Sequence, residues 1–392
     1  MIELRIEQIE FLEREYRVHW SVDDEKNFLR VSPLEISYEF APNSDPFYPV
    51  NNVLALALPI LAKEYGNVRI VSDFDLDECI RGYWEHILRV LNIENFHLDW
   101  KAKDQAKNLS LHSEKECPVR GRIALLFGGG VESTFALSVL YPYKPVLVSI
   151  VGERWMNNDI RRYSIKRQLE DDLISEFDVE FQRVTSNAFS LINKPDIYKN
   201  YYVSGLLFYW HSLPVCKEFG VHTIYKSSEM EEALNFEGQD LSLHPTFLKN
   251  IIFKNEPLFL PLFNCYPKIQ MLDELEKTPF IRHIYSCYHN TDKRWCGECS
   301  KCYRISEFCE RLGIEKGIIG MQEGIVGIRE TGSISRNYWQ IADQLYGKRR
   351  AKEFFKAIKY YWKQRKRPIL RAVVHRILGG RADRLIGLFR RS

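Results

Sequence analysis

Residues 123–134 read Ile-Ala-Leu-Leu-Phe-Gly-Gly-Gly-Val-Glu-Ser-Thr, an apolar run that passes through three glycines into a helix start. A strand with no polar alternation is buried on both faces, the situation of a strand inside a parallel sheet. The pattern then repeats. Residues 146–151 form a second apolar strand, and strands at 179–184 and 223–225 alternate with helices that start at about Glu132 or span 161–177 and 202–219. This alternation predicts an α/β fold built on a doubly wound parallel sheet, in which ligands sit beyond the carboxyl ends of the strands.

Three consecutive glycines let the backbone approach a ligand closely, and a new helix offers free amides and the positive end of its dipole. The junction Phe127-Gly128-Gly129-Gly130-Val131 is therefore expected to cradle phosphate. Ser133 and Thr134 add hydroxyl donors, and Glu132 can hold Mg²⁺ through its carboxylate. The bland alternative is a tight strand-to-helix turn with Glu132 as an ordinary first-turn acid. The loop is not a Walker A loop, since no Gly-Lys-Ser/Thr follows, and it is not the dinucleotide pattern G-x-G-x-x-G.

A second motif lies much further along. Cys287, Cys296, Cys299 and Cys302 have the spacing C-x8-C-x2-C-x2-C. Four thiolates so spaced satisfy a tetrahedral Zn²⁺, and the x2 steps form a tight knuckle whose turn suits Gly297. An iron–sulfur cluster is the rival for four cysteines, but the long first gap and the lack of a following Cys-Pro favour zinc. With no ligand position left open, the zinc is expected to be structural rather than catalytic. The other cysteines, at 79, 117, 216, 265 and 309, stand singly and read as small buried side chains.

The chain has 392 residues, enough for two or three domains. Its 45% hydrophobic content excludes wholesale disorder. No apolar run reaches the roughly 20 residues that cross a bilayer, and Met1 is followed by Glu3, Arg5 and Glu7 rather than an apolar leader. A cytosolic protein with reduced thiols is expected, so a disulfide framework is the wrong reading of nine cysteines.

Residues 1–116 are expected to form a smaller amino-terminal α+β domain, with strands at 2–6, 34–40 and 68–71 and helices at 51–64 and 80–91. The polar stretch 101–116 reads as an exposed connection. Residues 117–345 are expected to form the nucleotide-binding domain with the zinc motif, and 346–392 a basic amphipathic helical tail. Residues 348–392 carry a net charge of +14, which leaves −11 on the rest of a chain whose net charge is +3. Phe354, Phe355, Ile358, Tyr361 and Trp362 recur at helical spacing among lysines. Such a stripe suits an anionic membrane surface at the inner face of the membrane better than nucleic acid, which needs less apolar surface. Packing of the tail on the acidic body or on a partner is the alternative.

The glycine loop resembles the pyrophosphatase loop, Ser-Gly-Gly-x-Asp-Ser, of the PP-loop ATP pyrophosphatase superfamily. Gly128 stands where that family has its first Ser, and Glu132 where it has Asp. With the later Ser-Cys-Tyr…Cys-Gly-x-Cys-x-x-Cys-x-Arg, residues 122–313 resemble 7-cyano-7-deazaguanine synthase and its relatives. The ATP-dependent UDP-N-acetylmuramoyl-dipeptide L-glutamate epimerases are similar too, and often carry an extra amino-terminal domain. The resemblance implies an adenine nucleotide alpha hydrolase-like fold and an enzyme that splits ATP into AMP and pyrophosphate to activate a carboxylate or similar oxygen. ATP, Mg²⁺ and Zn²⁺ are the cofactors implied. The partner is a small molecule bearing a carboxylate, in keeping with cell-envelope or surface-polysaccharide synthesis, and a homodimer is compatible. A nucleotide-binding scaffold without turnover is the alternative of a different class.

Several residues between the motifs join the expected site. Lys226, Ser227 and Glu229 follow a strand and can meet phosphate, metal or a substrate amine; as an alternative, Ser228 and Glu231 form a capping box there. Asp240 and His244 lie in a loop that, in larger relatives, has a similar Ser-x-His-Pro segment facing the nucleotide; a lone loop histidine is more often a surface or hydrogen-bonded residue. Arg304, two positions after Cys302, is either a phosphate fork or a salt-bridged surface arginine. Glu132, Ser133, Lys226 and His244 are the expected catalytic residues. Trp155 and Trp210 read as core or helix-face aromatics.

Overall fold

A computed structural model describes residues 1–109, 121–151, 160–193, 203–227, 252–253, 256–262, 266–287 and 294–322, with backbone only at 102–109, 160–163 and 300. The expected site residues Glu229, Asp240 and His244, together with Cys117, Trp155, Cys265 and the basic tail, lie outside the described residues.

The amino-terminal part begins with the antiparallel strands β1 (Ile2–Phe11), β2 (Glu15–Val22) and β3 (Leu34–Tyr38). β2 has the alternation of a half-buried strand, with Tyr16, Val18 and Trp20 buried between exposed or half-buried polar residues. Helix α1 (Phe47–Tyr65) starts earlier than its apolar run, because Pro46 and Pro49 are tolerated at a helix beginning where no amide partner is lost. Its residues 47–62 are all buried. Strand β4 (Asn67–Leu76), helix α2 (Glu78–Val90, capped by Asp77) and strand β5 (His97–Leu109) complete this part.

The stretch from Lys101, expected as an exposed connection, continues β5 as far as Leu109 and pairs in parallel with β4. The physical reason is its position. β5 is the edge of the sheet, where lysine-rich strands are tolerated because one side has no neighbour.

The remaining elements alternate as the sequence indicates: β6 (Arg122–Leu126), α3 (Val131–Leu140), β7 (Val146–Val151), α4 (Ile160–Glu176), β8 (Glu180–Ser186), α5 (Val203–Phe219) and β9 (Val221–Ser227). Strand β10 (Leu258–Leu262) and helices α6 (Lys268–Glu276) and α7 (Ser300–Leu312) follow. All ten strands join one sheet in the order β10-β9-β6-β7-β8-β3-β2-β1-β4-β5. The five from β10 to β8 are parallel, and β3 pairs antiparallel with β8, so the amino-terminal strands extend the same sheet. The molecule is thus α/β with a mostly parallel central sheet.

Strand alternation sends side chains to two cores. Ala124, Leu126, Val146 and Val148 pack with residues of α1, α2 and α5, while Leu125, Leu147 and Phe181 pack with residues of α3, α6 and α7. Burial of each such Leu or Val contributes about 1.5–3 kcal/mol relative to exposure. Trp210 is fully buried in the first core, stacked on Trp84 at 6.1 Å. Among the described residues no helix is long and apolar enough to cross a membrane.

Candidate functional site

β6 lies between β7 and β9, at the point where strand order reverses along the parallel part of the sheet. Open α/β sheets take ligands in the crevice at such a point. The glycine junction leaves the carboxyl end of β6 there. The Phe127 amide donates to Val148 O at 2.8 Å, the last ladder bond before the chain departs. Gly129 then adopts φ +76°, which a residue with Cβ reaches only under strain. Gly130 is the extended N-cap of α3 and supplies no side-chain acceptor to the first-turn amides. A Cβ on Gly130 would stand 3.0 Å from Glu132 Oε2, whereas no atom lies within 4 Å of the place a Cβ on Gly128 would take.

Residues 285–287 press against this loop from the far side. The Tyr285 amide donates to Gly129 O at 2.5 Å, and Ser286 Oγ would be 3.6 Å from a Cβ at Gly130. The next residue is Cys287, so two motifs far apart in sequence meet at one place. The cleft between them has a volume of about 240 Å³. Phe127, Gly128, Gly130, Glu132 and Ser133 form one wall and Tyr285, Ser286, Cys287 and Lys301 another. Val148, Ile150 and Phe208 add apolar surface, and Lys166, Lys226 and Ser227 complete the lining. Register explains Lys226: β9 pairs Lys226 with Leu126, which sets it level with the start of the loop.

The other expected residues are placed differently. Gly129 shapes the turn, Val131 belongs to the core, and the buried Thr134 turns its hydroxyl to Gly129 O at 3.5 Å. Ser133 Oγ donates to Gly130 O at 3.2 Å while bordering the cleft. Arg304 lies on α7, half-buried, and is not part of the described cleft wall.

The electrostatics are dominated by lysines. Glu132 forms an ion pair with Lys268, the first residue of α6. Burial alone would raise the Glu132 carboxyl, but the Lys268 charge and hydrogen bond, helped by Lys301, bring it down to about 2. Lys226 Nζ donates to Ser227 O at 3.3 Å. Lys166, Lys268, Lys301, Tyr285 and Ser286 were not singled out as site residues from the sequence. Lys301 lies within the cysteine motif and Ser286 just before it, so both were legible as its neighbours; Lys166 and Lys268 are ordinary helix lysines until the fold brings one to the cleft and the other to Glu132.

The four cysteine sulfurs lie within 4.8 Å of one another. Individual Sγ separations are 3.5 Å for Cys299–Cys302, 3.7 Å for Cys296–Cys302, 3.8 Å for Cys287–Cys302 and 4.0 Å for Cys287–Cys299. Thiolates sharing one tetrahedral ion through bonds of about 2.3 Å stand about 3.8 Å apart. The group therefore fits a single ion such as zinc. Thiolates of a four-iron cluster each bind a different iron and need wider spacing. The knuckle is formed: Gly297 has φ +79°, and the amides of Glu298 and Cys299 both donate to Cys296 Sγ at 3.3 Å. Arg294, bonded to Ile284 O, and Trp295, bonded to Ile319 O at 2.8 Å, tie the knuckle to the segments that precede and follow the cysteine motif. Contact with Cys299 pushes the Cys287 thiol up to about 11, and its neighbours push Cys302 up as well; a bound divalent ion displaces such protons. Of the single cysteines, Cys216 and Cys309 are buried as expected, whereas Cys79 is exposed near the start of α2, a helix that buries its opposite face.

Scans of known protein families, curated proteins and solved structures find no match to this chain.

Proposed function

We propose that the cleft binds the polyphosphate of ATP and that the protein adenylates an oxygen of a small carboxylic acid, in the manner of PP-loop ATP pyrophosphatases. The observation that carries this reading is the meeting of the Gly128–Gly130 turn, the amino end of α3 and three cleft-lining lysines at the reversal point of the sheet. A polyanion needs such donors in a partly dry site. In the reaction a carboxylate oxygen bonds to the α phosphorus, the bond from that phosphorus to the α–β bridging oxygen breaks, and pyrophosphate leaves with the electron pair. No proton is transferred in this step. Loop amides and Ser133 orient the phosphates, Lys226 and Lys301 neutralise them, and Tyr285 and Ser286 hold the loop in shape. Mg²⁺, when bound, supplies further neutralisation of phosphate charge.

The four-cysteine centre has a structural part in this account. Zinc held by Cys287, Cys296, Cys299 and Cys302 fixes residues 285–287 against the glycine loop. An epimerase of the muramoyl-dipeptide type differs only after adenylation, when the activated carbonyl permits proton loss at the adjacent carbon.

One observation favours the scaffold alternative: Glu132 is engaged by Lys268, so metal binding there has to break an ion pair. Incubation with ATP, Mg²⁺ and a panel of carboxylic acids separates the two readings. Stoichiometric AMP and pyrophosphate support adenylation; ATP binding with no AMP from any acid supports the scaffold.

A further inference from the structure

We infer that Lys166 is a ligand-binding residue that grips an anionic phosphate oxygen in the cleft, and that Glu39 in the amino-terminal part positions it through a buried polar chain. Lys166 rises from α4 with its side chain only 3% exposed, yet it borders the cleft. Its ammonium donates to Ser149 Oγ at 2.8 Å and stands 3.5 Å from Glu170 Oε1. An ammonium has three donors, so among the described residues one is left for the cleft. A buried donor without a partner is unfavourable, which gives an arriving oxyanion something to gain.

The chain behind Lys166 converges on Glu170, which accepts from both sides. Ser149 Oγ donates to Glu170 Oε1 at 2.7 Å, and Glu170 Oε2 accepts from Arg183 Nε at 2.8 Å. Arg183 Nη1 and the Arg183 amide reach the two oxygens of Glu39 at 3.1 and 3.0 Å, and Nη2 reaches Asp171 at 2.6 Å. Glu39 follows β3, the strand that joins the amino-terminal part to β8. Loss of Glu39 leaves Arg183 with fewer acceptors and draws it toward Glu170, which slackens the hold on Ser149 and Lys166. Glu170 also pairs with Arg183, so it does not depend on Lys166 alone for a cationic partner.

This inference rests on the cleft being a phosphate site, and titration calorimetry of the full-length protein with inorganic pyrophosphate and, separately, AMP keeps the two apart. Lys166→Met is expected to weaken at least one of these ligands about tenfold or more. Lys166→Arg should recover part of the loss. Glu39→Ala should weaken the same ligand by less, and should add nothing in a Lys166→Met background. The ligand affected tells whether the oxygen held belongs to the departing pyrophosphate or to the α phosphate. Lys166→Gln serves if the Met variant does not fold. Undiminished binding of both ligands by the folded Lys166 variants overturns the inference while leaving the phosphate site intact. A Glu39→Ala effect that persists in full without Lys166 overturns the positioning chain. Failure of the wild type to bind either ligand removes the phosphate site and the inference together.

Discussion

Lys268, at the amino end of α6, forms an ion pair with Glu132, in the first turn of α3, and so joins two helices across one edge of the cleft. Glu132 is 18% exposed and Lys268 8%. The Glu132 carboxyl is held at about 2, below its ordinary 4.5, because Lys268 outweighs the burial that would raise it. A depressed acid stabilises the fold above its unfolded value, and that contribution fades as pH falls from about 4.5 toward 2.

Lys268→Met should therefore cost about 2–4 kcal/mol at pH 7, since it strands a largely buried carboxylate. The gap should narrow at pH 4, where the stranded carboxyl takes up a proton. Denaturant unfolding of both proteins at the two pH values checks this; an equal gap at both contradicts the pairing.

The glycine loop predicts opposite results at adjacent positions. Gly128→Ser meets no atom within 4 Å and should leave stability unchanged while adding a hydroxyl donor that tightens pyrophosphate binding. Gly129→Ala forces φ +76° on a residue with Cβ and should cost about 1–2 kcal/mol. Thermal unfolding and pyrophosphate titration of both variants test the pair, and equal destabilisation would show that the turn is not as described.

Much of this arrangement was legible in residue order. The uninterrupted apolar strands 123–127 and 146–151 announced a parallel sheet, and the x2 cysteine steps announced a closed tetrahedral set, because both are local patterns with one physical solution. β2 was not singled out, since its apolar residues at 16, 18 and 20 are spaced by charged and polar ones that a run-based reading passes over. The continuation of β5 past Lys101 was misread because an edge strand need not look apolar. Lys268 and Lys166 were invisible for a different reason. A helix lysine declares itself only when packing shows what it meets, the cleft for Lys166 on α4 and the Glu132 carboxylate for Lys268 on α6.

Freshly purified protein should hold close to one zinc per chain, measured by elemental analysis. Removal by a chelator should lower the unfolding temperature and weaken pyrophosphate binding together, because Cys287 borders the cleft and Tyr285 is bonded to Gly129. Cys302→Ser should reproduce both effects. Metal loss that leaves pyrophosphate affinity unchanged would separate the two sites.

The basic tail, residues 348–392, is expected to carry the protein to anionic vesicles. Flotation with phosphatidylserine vesicles should be strong for the full chain and lost on truncation at Lys348. Equal flotation of both forms removes the membrane from the account.

The most direct test is titration of the full-length protein with Mg·ATP, alongside Gly130→Val, whose side chain projects toward Glu132 and Ser286. Saturable binding by the wild type, weakened about tenfold or more in a variant that still unfolds cooperatively, is the predicted result. No saturable binding, or binding indifferent to the valine, would contradict the assignment of the glycine loop as the polyphosphate site.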